Sequence, residues 1–185
     1  MVPSTFSDFF AASAGVAGAL IGLLFVAISV APSASDPEQR LELDVRAGVA
    51  FSALTDTLVV ALFALIPGVD LGVPALVTAT VGFASCIALG IVLWRAGTAA
   101  NRGRNLRLLG IQGLVFAYQF SVALQLVGNA HDQTAVKTLA VLTVVFFLVG
   151  IARAWQMIGA RDTGLFRVVR QAIHERPAPS TAPED

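Results

Sequence analysis

The amino-acid sequence reads as an all-α polytopic membrane protein: a five-transmembrane-helix bundle followed by a C-terminal amphipathic surface helix. Three observations carry this. The 185 residues are 56% hydrophobic and 13% charged, and the apolar residues come in long blocks rather than in the stripes of a soluble domain. Phe9 to Val30 is a run of 22 residues without a charge, matching the roughly 20 apolar residues that cross a bilayer core as a helix, and four more such stretches follow. The 12 Lys and Arg residues fall almost wholly on one side once five spans are drawn. The expected organisation is a five-span domain over 1–160, with spans at about 9–30, 47–66, 73–94, 108–127 and 135–158. A cytoplasmic interfacial helix over 161–176 and a disordered tail over 177–185 complete it.

The first span is unusual in its small residues. Ala11, Gly15 and Ala19 recur every four positions, as do Ala14, Gly18 and Gly22. Together they form a broad face of little bulk, which allows close helix approach in lipid. This predicts a central helix, contacted by neighbours within the chain or forming an oligomer seam. A pore-lining role finds only Ser13 and Ser29 as hydroxyls. Ser33 and Ala34 look like a signal-peptidase site. However, no Lys or Arg precedes the run and its apolar part is longer than a signal core, so it is expected to remain as a span. Before it, Ser7 and Asp8 supply a helix start, with a carboxylate suited to the positive end of the helix dipole.

The tripeptide Phe6-Ser7-Asp8 resembles the Phe-Ser-Asp motif in the first helix of a bacterial and lysosomal potassium-channel family. The arginine that precedes that motif and the later motifs are missing, so the resemblance brings no function with it. The segment GALIGLLFVAIS, Gly18 to Ser29, resembles the first helix of small, uncharacterised bacterial membrane proteins and implies no activity.

Ser35-Asp36-Pro37-Glu38 combines a capping residue, a proline at the first helical position and an acid in the first turn. The second helix is therefore expected to begin near Pro37. Its first turns are charged by Arg40, Glu42, Asp44 and Arg46, and it stops at Pro67-Gly68. A short turn leads to the third span, which Trp94 and Arg95 anchor at the interface. A basic linker, Gly97 to Arg107, precedes the fourth span, which ends at Gly128-Asn129. His131-Asp132-Gln133 opens the fifth. Beyond Gly164, Leu165, Phe166, Val169 and Ile173 share one face, a pattern for a helix lying on anionic lipid through Arg161, Arg167 and Arg170. The Pro-rich tail is expected to be disordered. No internal repeat is visible, against an inverted-repeat transporter plan.

With five spans, the first loop, the third loop and the C-terminus share a side. That side holds Arg40, Arg46, Arg95, Arg102, Arg104, Arg107, Arg153, Arg161, Arg167, Arg170 and Arg176, against Lys137 alone on the other. The positive-inside rule then places a multi-pass protein in the cell membrane with its N-terminus outside and its C-terminus in the cytoplasm.

Asp56, in FSALTDTLVVALF, is the candidate for chemistry. It lies ten residues beyond Arg46, about 15 Å along the helix and near mid-membrane. A charged aspartate there costs on the order of 3 kcal/mol, so such residues face the protein interior or water. One reading is a proton or cation site. The other is a buried carboxyl hydrogen-bonded to Ser52 or a neighbouring helix, as structural glue. Gln112, Tyr118, Gln119, Ser121 and Gln125 make the fourth span rich in hydrogen-bonding groups, and it is expected to look inward. Interhelical hydrogen bonds of about 0.6 kcal/mol each compete there with a water-lined path. Asp56, Ser52, Tyr118 and Gln119 form the candidate pathway cluster.

Other residues carry less. Arg153 can snorkel to the headgroups or pair with Asp44. His131 and His174 fall on opposite sides, so no shared metal or haem is expected. The lone Cys86 excludes an internal disulfide and a CxxC pair and reads as a small buried hydrophobe. Asp70 and Asp56 lie at different depths without a GxGD pattern, and no HExxH, GxSxG, P-loop or dinucleotide fingerprint occurs. The expectation is a protein that is not an enzyme, has no cofactor and does not bind nucleic acid, with the lipid bilayer and its own copies as partners. Its expected role is an oligomeric ion, proton or small-solute channel or transport protein. The alternative is a non-catalytic interaction or scaffold protein.

Overall fold

The computed structural model describes residues 4–30, 37–96, 99–129 and 132–157. The expected interfacial helix and disordered tail, with Arg161, Arg167, Arg170 and His174, and also His131, lie outside the described residues. A 3-10 turn, Ser4–Phe6, leads into helix α1, Ser7–Val30, followed by α2, Pro37–Leu65; α3, Gly72–Ala96; α4, Ala99–Gly128; and α5, Gln133–Met157. All five are long and apolar enough to cross a membrane.

Local chemistry sets the ends. The start of α2 coincides with the proline of the Asp36-Pro37-Glu38 signal. Gly68 closes the α2–α3 turn at φ +79°, a left-handed conformation that favours glycine. Asp70 Oδ1 then accepts the Gly72 N–H at 2.9 Å. Asp132 caps α5, accepting the N–H groups of Thr134 and Ala135 at 2.9 and 3.2 Å. Each carboxylate satisfies donors that the first helical turn leaves open.

Helices α2, α3, α4 and α5 form a ring in which each packs on the next and α5 closes on α2. Glycines set two of these seams. A Cβ at Gly82 would run into the Phe116 ring, and one at Gly150 would lie 2.8 Å from Leu54. Phe116 continues the interior onto α5 through Phe146, with ring centroids 4.7 Å apart. The outer surface is apolar, with Leu23, Leu114 and Leu148 exposed, while Asp56, Thr57, Gln112, Gln119 and Thr143 are buried. Polar groups inside and hydrocarbon outside is the distribution a lipid solvent imposes.

The expectation of a central first helix fails. Helix α1 lies outside the ring, packed on α2 and more lightly on α5. Its inward edge is Phe10, Ser13, Ala17 and Leu24. Ala11, Gly15, Gly18 and Gly22 are exposed, Ala14 is half-buried, and a Cβ at any of the three glycines would meet nothing within 4 Å. The inward edge pairs two bulky residues, Phe10 and Leu24, with the small Ser13 and Ala17 between them, so close approach to the bundle uses a different small-residue stripe from the one expected. Helix α2, which touches α1, α3 and α5, takes the central place.

Candidate functional site

The site is built where α2, α3 and α4 meet. Asp56 is 5% exposed and Gln119 is 1% exposed. Gln119 Nε2 donates to Asp56 Oδ1 at 2.8 Å. The same nitrogen lies 3.2 Å from Thr78 Oγ1 and 3.4 Å from the Ala75 carbonyl. Thr78 Oγ1 in turn donates to the Ala75 carbonyl at 3.2 Å. A carboxylate, an amide, a hydroxyl and a main-chain carbonyl from three helices thus converge on one point. Among the described residues, no Lys or Arg forms an ion pair with Asp56.

Asp56 lies nine residues from Leu65, the end of its span, about 14 Å at the helical rise. That is the end bearing Asp70, Asp132 and Lys137. Arg40, Arg46, Arg95, Arg107 and Arg153 occupy the opposite end among the described residues.

The buried hydrogen-bonding capacity around Asp56 is not all used. Among the described residues, Gln119 Oε1, Thr57 Oγ1 and Thr55 Oγ1 have no hydrogen-bond partner. Neither has Gln112, at both its oxygen and its nitrogen, although it is 1% exposed. Each orphaned atom carries the desolvation cost of its group, about 1–3 kcal/mol. Gln112 precedes Gln119 by seven residues, about 10 Å along α4 toward the arginine-bearing end. Asn105, seven residues earlier again, lines a cleft at that end with Arg46 and Arg153. Seven residues are two helical turns, so Asn105, Gln112 and Gln119 lie nearly in line.

The structure does not gather the whole expected cluster. Tyr118 is 53% exposed on the outer surface, because adjacent helical residues point about 100° apart and Gln119 takes the inward direction. Ser52 shares the Asp56 side of α2, but its hydroxyl donates to the Val49 carbonyl at 3.0 Å. Ser121 and Gln125 are exposed, and the Ser121 hydroxyl is likewise spent on its own helix, at the Tyr118 carbonyl.

Thr78 and the Ala75 carbonyl were missed by sequence reasoning, although a signal existed. Asp56 and Thr78 are each eleven residues from Pro67. In a helical hairpin, positions equidistant from the turn come side by side. Reading α3 as a featureless apolar span hid the pairing.

Comparison with known proteins adds no assignment: no family model, curated protein or solved structure matches this chain.

Proposed function

We propose that the protein is a multi-pass membrane conductor of protons or small monovalent cations, with the Asp56–Gln119 pair as its intramembrane site. One observation carries this reading: a buried carboxyl held by an amide and a hydroxyl, without a cationic partner among the described residues, in a bundle where Gln112 and Gln119 Oε1 are buried and unsatisfied among those residues. An acid kept only as glue would be expected to use its neighbours fully, since unsatisfied polar groups in an apolar interior are costly. Gln112 and Gln119 instead offer spare donors and acceptors on one face of α4, which water or an ion can use in passing. Asp56 supplies negative charge, and Gln119 and Thr78 hold it in place. Orientation follows the positive-inside rule, with the arginine-bearing end in the cytoplasm, and the membrane concerned is the cell membrane.

The second reading, a non-catalytic interaction or scaffold protein, is favoured by the exposed small-residue face of α1. There Gly15, Gly18 and Gly22 leave room for another helix, including that of a second copy. Homo-oligomerisation through this face is compatible with conduction as well.

Water access separates the two. In a Cys86→Ala background, a cysteine replacing Ser52 or Gln119 is expected to react with small polar thiol reagents in proteoliposomes. A cysteine replacing Thr143, whose hydroxyl is satisfied by the Leu139 carbonyl, serves as the dry reference. Reaction at Ser52 and Gln119 no faster than at Thr143 would reject a water-accessible path and favour the interaction protein.

A further inference from the structure

Helix α4 turns a partly polar stripe outward. Leu114, Tyr118, Ser121 and Gln125 are exposed and share one face, because their spacings of four, three and four follow the helical repeat. Tyr118 is out of place there if lipid covers it. It stands ten residues from Gly128, the nearer end of the α4 span, about 15 Å along the axis. Side chains on a helix lean toward its N-terminus, which for α4 is the farther end. The phenol is therefore carried deeper into the membrane rather than out to the headgroups. Among the described residues its hydroxyl has no hydrogen-bond partner, and hydrocarbon offers none. At that depth only another protein surface supplies one.

The molecule carries a matching surface on α1. Ala11, Gly15, Gly18 and Gly22 are exposed, repeat the spacings of four, three and four, and leave open space at all three glycines. Helices α1 and α4 cross in opposite directions. Phe25, late in α1, meets Phe51 of α2 with ring centroids 5.9 Å apart, and Gly72, opening α3, abuts Leu126 and Val127 of α4. The start of α1 and the end of α4 therefore lie at the same end of the bundle. Counted from Ser7 and from Gly128, Gly18 is eleven residues in and Tyr118 ten, Gly22 fifteen and Leu114 fourteen. Gly15 is eight in and Ser121 seven, Ala11 four and Gln125 three. One offset of about 1.5 Å aligns all four pairs. Both stripes are exposed in a single chain, so they can meet only between copies.

We propose that copies of this chain assemble head to tail, with the α4 stripe of one copy lying in the α1 groove of the next. Tyr118 fills the space at Gly18, and its hydroxyl donates to a main-chain carbonyl that the glycines leave uncovered. A carbonyl oxygen has two lone pairs, so one engaged within its own helix still accepts. Close backbone approach at small residues, with a hydroxyl bonded across, is how helices associate in lipid. A contact between two different faces propagates from copy to copy, and closes into a ring where the rotation allows. The inference rests on the membrane placement of the bundle, names the face that meets the α1 seam, and is independent of whether Asp56 conducts.

Disulfide cross-linking of the full chain in membranes tests it, in a Cys86→Ala background. Two differently tagged populations carry Ser121→Cys and Gly15→Cys, both small changes at exposed positions. Mixed copies should form a covalent dimer, and Gln125→Cys with Ala11→Cys should do the same. One chain carrying both Ser121→Cys and Gly15→Cys should give a ladder beyond the dimer. Leu124→Cys, exposed on another side of α4, should not join Gly15→Cys. Energy transfer between labelled copies in proteoliposomes should show association about threefold weaker in Tyr118→Phe, the scale of one interhelical hydrogen bond. A wild type that stays monomeric overturns the proposal without any variant. Ser121→Cys or Gly15→Cys copies that join only their own kind overturn it in favour of a two-fold seam. Joining through Leu124→Cys as efficient as through Ser121→Cys overturns the assignment to this face, and unchanged association in Tyr118→Phe overturns the hydrogen bond. A flux assay that finds no conduction leaves these outcomes as they are, so the two readings fail separately.

Discussion

Asp56 and Gln119 are 63 residues apart in sequence and joined by a 2.8 Å hydrogen bond inside the helical ring. The bond ties α2 to α4, two helices that otherwise meet through α3 and α5 on either side of the ring. A polar contact across the interior fixes their relative height and rotation more sharply than alkyl packing, because one residue of slip moves each group about 1.5 Å along the axis and turns it by about 100°.

That bond should appear as a coupling energy. Asp56→Leu and Gln119→Leu are each expected to destabilise the bundle, since each strands a buried polar partner. The double variant is expected to lose less than the sum, by about 1 kcal/mol, within the range for interhelical hydrogen bonds in membranes. Reversible unfolding in mixed micelles measures the cycle. Strict additivity would mean that the two groups do not interact.

Gln112 carries opposite expectations for stability and transport. Replacing this orphaned amide by leucine removes a buried group without a partner, so Gln112→Leu should raise stability by about 1 kcal/mol. The same change removes a polar step from the interior and should slow flux. A more stable protein with unaltered flux would take Gln112 out of the pathway.

The glycines divide into two classes. Gly82→Ala places a methyl group against the Phe116 ring and is expected to cost about 1–3 kcal/mol by overpacking. Gly18→Ala meets open space and should leave the folding of a single chain unchanged. Gly18→Leu, on the same exposed face, should reduce self-association if α1 forms the seam between copies. Cross-linking in membranes and unfolding of the monomer separate the two effects.

The number of helices was legible in the sequence because long uncharged runs admit few alternatives in lipid. So were the start of α2 at Pro37 and the opening of α5 at Asp132, which follow from proline and aspartate chemistry at helix ends. The inward turn of Gln112 and Gln119 was legible too, since their spacing of seven puts them on one face that must be satisfied. The placement of α1 was not. Small residues permit close approach without specifying who approaches, and the ring uses Gly82 and Gly150 for that purpose instead. Tyr118 was drawn into the cluster by depth alone. Depth follows from residue number, but direction depends on which neighbouring face wins the core, and Gln119 won it. Thr78 went unnoticed because its role depends on the α2–α3 hairpin rather than on any pattern within α3.

The native thiol supplies an independent check on the packing. Cys86 is 7% exposed, and its Cβ would lie 3.9 Å from a Cβ built at Gly113 of α4. It is expected to resist polar thiol reagents in the folded protein and to react fully after denaturation. Rapid labelling of the native protein would contradict the close α3–α4 seam.

The most direct test of the central claim is proton and monovalent-cation flux in proteoliposomes, comparing the wild type with Asp56→Asn. Asparagine keeps the size of the side chain and can still accept from Gln119, so folding and assembly should survive. Flux in the wild type that disappears in a folded Asp56→Asn protein is the predicted result. No flux from the wild type would contradict conduction and leave Asp56 as buried glue, while equal flux from both would keep a conductor and remove Asp56 from its path.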